Sequence, residues 1–319
     1  MTQVRNPSPA ARTGERTSTG WPRIIRLLRR RSRQYALRIR ELQRHGQTER
    51  RVHDFRVASQ RLLVLHRVCD ALLPAPFAPK LRRRVKRRVD GFRRLRDVQV
   101  LLLRIAPLAA EGTLWASLRQ RLTTEESGIQ AKLRRTLTQA AVNGERRLTT
   151  VLARALVAQA RTARFGLFGA AMRTLTVSAQ ARTRKRFARV APDNPESFHR
   201  LRLGIKRARY TLEILTQVRR APWATAAHRA AKHWQDELGN IQDLRVLDGE
   251  LSAFRPQDPS LVAELLRFRA ERAADRNEAI ASFLANRSEV EAFIENMVPP
   301  QSRRSQASAG PENHQLFER

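Results

Sequence analysis

Two segments of this sequence carry His, Arg and Lys at spacings that suit phosphate recognition. One is Val52-His53-Asp54-Phe55-Arg56-Val57-Ala58-Ser59-Gln60-Arg61-Leu62; the other runs from Phe198-His199-Arg200-Leu201-Arg202 through Lys206, Arg207 and Arg209 to Tyr210. Wound at about 100° per residue, Leu201, Ile205, Ala208, Leu212 and Leu215 make one narrow apolar seam. His199, Arg202, Lys206 and Arg209 make a second stripe, roughly 100–120° round the helix from that seam. A cationic stripe opposite the seam would be a solvated face. One that flanks it sits at the mouth of a groove between packed helices, where an anion can be held. Guanidinium groups there offer bidentate, charge-assisted hydrogen bonds to phosphate oxygens.

The two segments share His-x-x-Arg at an offset of 146 residues (199 − 53), and the same offset holds elsewhere. Arg61 maps to Arg207, Arg83 to Arg229, Lys86 to Lys232, Asp90 to Asp236, Asp97 to Asp243, and Val100-Leu101 to Val246-Leu247. Such a repeat predicts two halves of about four helices each, related by a pseudo-twofold or a translation. A further polar stripe, Arg83, Lys86, Arg87, Asp90, Arg94 and Asp97, falls within about 80° of arc. Its counterparts are Arg229, Lys232, His233, Asp236, Asn240 and Asp243. Unpaired charge is too costly to bury, so this face borders solvent or a groove.

Composition narrows the partners. The 319 residues include 63 basic and 29 acidic ones, a formal net charge of +34, and only Lys80, Lys86, Lys132, Lys185, Lys206 and Lys232 are lysines. A charge that large favours nucleic acid, polyphosphate or an anionic membrane. Hydrophobic residues at 41% suffice for a globular core. The single cysteine, Cys69, excludes an intrachain disulfide and a cysteine metal site and fits a reducing cytoplasm. No apolar run reaches the roughly 18 residues of a membrane span, and the N-terminal stretch lacks the apolar core expected of a secretory signal.

The elements that would position these residues are all helical, because strand-like alternation is missing and aromatics are 6%. Residues 1–20 read as a disordered basic arm and 299–319 as a disordered tail. Between them, 21–298 is expected to form one domain, with halves 21–145 and 146–298. Helices are expected from Trp21 to Leu42, 48–73, 78–105, after Gly112 to Val142, 146–190 with an interruption near Gly166 and Gly169, 196–219, 222–254, and after Pro259 to Met297. His45-Gly46, Pro74-Ala75-Pro76, Asn143-Gly144 and Pro192-Asp193-Asn194-Pro195 are the expected stops and linkers.

These segments resemble the CHAD family, the conserved histidine α-helical domain. The His53 and His199 segments resemble its first signature. Phe92-Arg93-Arg94-Leu95-Arg96-Asp97-Val98-Gln99-Val100-Leu101 and Leu238-Gly239-Asn240-Ile241-Gln242-Asp243-Leu244-Arg245-Val246-Leu247 resemble its later one. The resemblance spans roughly 21–297. It implies two four-helix bundles with internal twofold symmetry and non-catalytic binding of inorganic polyphosphate in a basic groove, often on granules. With the duplicated polar stripe completing the groove, the expected binding set is His53, Arg56, Arg61, Arg83, Lys86, Arg87, His199, Arg202, Lys206, Arg207, Arg209, Arg229, Lys232 and His233, with Asp97 and Asp243 orienting Arg or His side chains. Gln60, Leu63 and Arg93 depart from the pattern, so the second half is expected to be the stronger site. His66 aligns with Leu212 in the seam and reads as a buried structural residue, and Trp223 and Trp234 as packing.

Other readings carry less support. His53-Asp54 resembles the dyad of metal-dependent phosphohydrolases, but the second copy has Arg200 and no acidic cluster surrounds either site. The Glu289-Val290-Glu291 segment lacks the lysine of a tunnel-type triphosphatase strand. Nucleic-acid binding is the main alternative, because any phosphate polymer answers to such charge. It lacks a recognisable DNA-binding motif and aromatics for base stacking. A granule-coating protein that adheres through amphipathic helices is a third reading.

Overall fold

In the computed structural model, the residues described are 20–75, 77, 79–108, 113–137, 139–164, 166–219, 221–256 and 258–299. They are helical, with no strand among them. The helices are α1 (Gly20–His45), α2 (Glu49–Ala71), α3 (Pro79–Gly91), α4 (Arg93–Ile105), α5 (Thr113–Thr136), α6 (Gln139–Thr162), α7 (Leu167–Phe187), α8 (Pro195–Arg219), α9 (Pro222–Ala253), α10 (Ser260–Ala285) and α11 (Arg287–Glu295). Apart from Gly20 and residue 299, the expected arm and tail lie outside the described residues. No described helix is long and apolar enough to cross a membrane.

Proline opens α3, α8 and α9, where its fixed φ suits a first turn and its missing N–H has no partner to lose. Gly46, just past α1, and Gly166, just before α7, adopt φ of 78° and 86°, a left-handed geometry that favours glycine. Gly166 thus separates α6 from α7 where an interruption was expected.

Three expected helices divide differently. The segment 78–105 breaks at Gly91–Phe92, because Phe92 turns inward and its ring lies 4.9 Å from that of Phe55. The equivalent stretch of α9 is continuous. Between α5 and α6 the chain turns at Leu137, whose carbonyl accepts a hydrogen bond from Gln43 Nε2 at 2.9 Å. Asn143-Gly144, the expected stop, lies inside α6. An exposed Asn and a Gly together cost a helix about 1–2 kcal/mol, which burial of Val142, Leu152 and Leu156 outweighs. Asn286 divides the last expected helix into α10 and α11, its carbonyl accepting from the Glu289 and Val290 amides.

The half-boundary expected at 145/146 falls within α6, which packs on α1 and α3. The main core runs through both halves, joining α1–α3 and α6 to α7–α9 and α11. A second cluster, around Leu101, Trp115, Leu118, Leu251 and Leu265, joins α4 and α5 to α9 and α10. One polar contact between the halves has a counterpart under the 146-residue offset. Arg94 of α4 pairs with Glu250 of α9, and Arg104 donates to Asn240 Oδ1 at 3.2 Å, residues 104 and 240 being the counterparts of 250 and 94.

Candidate functional site

The site is built where α2 meets α8, with α4 and α9 behind them. Phe55 and Leu201 occupy equivalent positions and are fully buried, which anchors each helix by its apolar seam. That anchoring sets Arg56 on α2, and Arg202, Lys206 and Arg209 on α8, along the flank. All four are partly buried.

Lys206 sits at the centre. Burial, and then the charges of Arg202, Arg56, Arg209 and Arg96, push its pKa down to about 7. Among the described residues it has no carboxylate within 4 Å. Burial also lowers Arg56 and Arg202, although a guanidinium stays charged. Opposing that trend, Asp97 acts most on Arg56, and Asp243 then Asp236 act on Arg202. Asp97 is itself raised by burial, and the charge of Asp243 adds to the shift.

Neither Asp97 nor Asp243 makes a direct ion pair with those arginines; Asp243 accepts instead from Arg104 of α4 at 3.3 Å. The Arg202 Nε atom is buried without a hydrogen-bond partner. Behind it lies Gly239, where an added Cβ would stand 3.8 Å from that atom. The first-half counterpart of Gly239 is Arg93, an exposed residue reaching Asp90 at 3.5 Å.

The two histidines differ. His199 Nδ1 lies 2.7 Å from Gln242 Oε1, an oxygen that only accepts, so Nδ1 carries the proton and Nε2 remains for another partner. The counterpart of Gln242 is Arg96, which pairs with Glu49. His53 still reaches solvent, but the protein around it, then Arg96, lowers its pKa.

Other expected site residues fall elsewhere. Arg61 is partly buried and donates through Nε to Glu213 at 3.1 Å, so its charge is already matched. Arg209, which stays on the site flank, donates to Gln235 Oε1 at 2.9 Å and lies 4.5 Å from the ring centre of Tyr210. Arg83, Lys86 and Arg87 are exposed on α3, with Lys86 paired to Asp90 at 2.6 Å. Arg229, Lys232 and His233 are exposed on α9, and His233 packs beside the buried Trp234. Arg207 faces another group, Arg67 of α2 with Arg182 and Arg186 of α7. His66 is fully buried, as expected, but both ring nitrogens lack partners. Arg96, which is outside the expected set, adds its charge to those acting on Lys206. Its position opposite Gln242 in the repeat was the available signal.

The sequence matches the CHAD domain model over residues 25–252, and the chain belongs to that family. Among solved structures, the crystal structure of the CHAD domain from the plant Ricinus communis is similar, with a TM-score of 0.65 and 22% identity. It covers 86% of this chain and 91% of that one. At that identity the likeness is one of fold. No curated protein matches the sequence.

Proposed function

We propose that this protein binds inorganic polyphosphate, without catalysing a reaction on it, through the cluster of Arg56, Arg96, Arg202, Lys206 and Arg209, and that it does so at polyphosphate granules in the cytoplasm. The observation that carries the reading is Lys206, half-buried among four guanidinium groups with no acid of its own. Like charges brought together out of water are costly, and a bound polyanion reverses that cost. A polyphosphate chain has no base edges to read, so its recognition needs only donors spaced along rigid helices. Each charge-assisted bond contributes ~1.5–3 kcal/mol before ordering costs, and contacts along a repeating ligand add through multivalency. Family membership supports the same ligand class. The unpartnered Arg202 Nε, which lies against Gly239, favours the second half of the site.

The test is polyphosphate binding by calorimetry or filter retention. Replacing Arg202, Lys206 and Arg209 together with Ala should weaken binding more than replacing Arg56 and Arg61, because Arg61 is engaged by Glu213. Equal losses, or none in either set, would remove the assignment. Nucleic acid is the alternative ligand, since the same cluster attracts any phosphate polymer.

A further inference from the structure

The two halves differ in charge where α2 crosses α8. On one side, Glu213 accepts from Arg61 at 3.1 Å and pairs with the buried Arg31. Under the 146-residue offset, Arg61 corresponds to Arg207 and Glu213 to Arg67. The reciprocal contact therefore sets arginine against arginine. Burial, and then Arg207 ahead of Arg82 and Arg182, lowers Arg67.

Helix α7 adds two more cations here. Arg182 and Arg186 both feel Arg207. Arg186 Nη1 donates to the Arg200 carbonyl at 3.2 Å, which fixes the side chain against α8. It lies over Gly204, where an added Cβ would stand 3.1 Å from Arg186 Cδ, so only glycine leaves that room without displacing the arginine. Among the described residues, no carboxylate lies within 4 Å of Arg67, Arg182, Arg186 or Arg207; at the edge, Asp70 is paired with Arg82. All four arginines keep some solvent access.

We infer that Arg67, Arg182, Arg186 and Arg207 form a second anion site, on the α2–α7–α8 flank, for a compact oligophosphate carrying several negative charges. The charge of Arg207 on α8 bears on Arg67 of α2 and on Arg182 and Arg186 of α7, and Arg186 is held against α8 at Gly204, so a small multivalent anion seated there would draw on all four. The acid that neutralises the equivalent place is absent here. This site goes beyond the polymer-binding reading and does not depend on it.

The experiment is calorimetric titration of the full chain with inorganic tripolyphosphate, with thermal melts to establish that each variant folds. Replacement of both Arg182 and Arg186 with Ala should lower affinity at one class of site by about tenfold or more, as loss of two charge-assisted contacts requires, and leave the other class intact. Arg67→Gln, on a different helix, should weaken the same class. Replacing Arg202 and Lys206 should spare it. The exposed pair Arg119 and Arg134 on α5 serves as the charge-matched control. An unchanged isotherm for R182A/R186A, or an equal loss for R119A/R134A, would overturn the second site. Should long-chain polyphosphate bind while tripolyphosphate responds only to Arg202 and Lys206, the second site fails and the groove reading stands. Should tripolyphosphate respond to Arg182 and Arg186 while the long polymer does not bind, the groove reading fails alone.

Discussion

Binding of polyphosphate should draw a proton onto Lys206, and the size of that effect follows from the site. In the free protein, burial and then the charges of Arg202, Arg56, Arg209 and Arg96 hold this lysine at about 7, against an ordinary value of 10.5. A polyanion seated among those groups cancels the repulsion and returns the lysine toward its ordinary range. At pH 8.5 the free side chain is about 3% protonated and the bound one nearly fully so, an uptake of about one proton. Charging it there costs about 2 kcal/mol, and the affinity falls by up to about tenfold per pH unit on account of this one group between pH 7 and 10. His53 and His228, both lowered, are neutral at that pH. The assay is titration calorimetry at pH 8.5 in HEPES and in Tris, whose different ionisation enthalpies report the protons taken up. Lys206→Gln should abolish the uptake, and Lys206→Arg should abolish it while retaining affinity. No uptake in the wild type, or the same uptake in Lys206→Gln, would refute the placement of Lys206 in the ligand's field.

The free protein should show the companion effect: its unfolded chain holds the Lys206 proton from pH 7 to 10.5 while the folded one releases it, so stability climbs with pH across that window and Lys206→Met flattens the climb in urea titrations. Glu213→Ala leaves Arg31 and Arg61 without their acid and should cost about 3–5 kcal/mol in urea denaturation; an unmoved midpoint would contradict the pairing. His66→Leu should stabilise by about 1–3 kcal/mol, because two unpartnered buried nitrogens disappear. Burial holds His66 at about 3, below its unfolded value of 6.5, so the wild type loses stability as pH falls between those values. His66→Leu should lack that part of the acid slope, which urea melts at pH 4 and 7 will show.

The all-helical architecture was legible because helical periodicity is a property of the chain itself. The helix bounds that failed depend on contacts between distant residues. Phe92 breaks α3 from α4 because a pocket beside Phe55 receives it, and no local signal marks that pocket. Within the site, the flank of Arg202, Lys206 and Arg209 follows from one helix, and so was readable. The division between Arg207 and its neighbour Lys206 was not. It depends on α7 lying against Gly204, a contact made by residues about twenty positions away. Glu213 lay beside the apolar seam and gave no sign that Arg31 and Arg61 meet there.

The central claim is that the groove prefers a bare phosphate polymer to one with bases. Competition between long-chain polyphosphate and duplex DNA, at equal charge concentration across a salt series, tests it most directly. Polyphosphate should displace DNA from the protein, and DNA should fail to displace polyphosphate at every salt concentration. Displacement of polyphosphate by DNA at equal charge would contradict it and make nucleic acid the ligand.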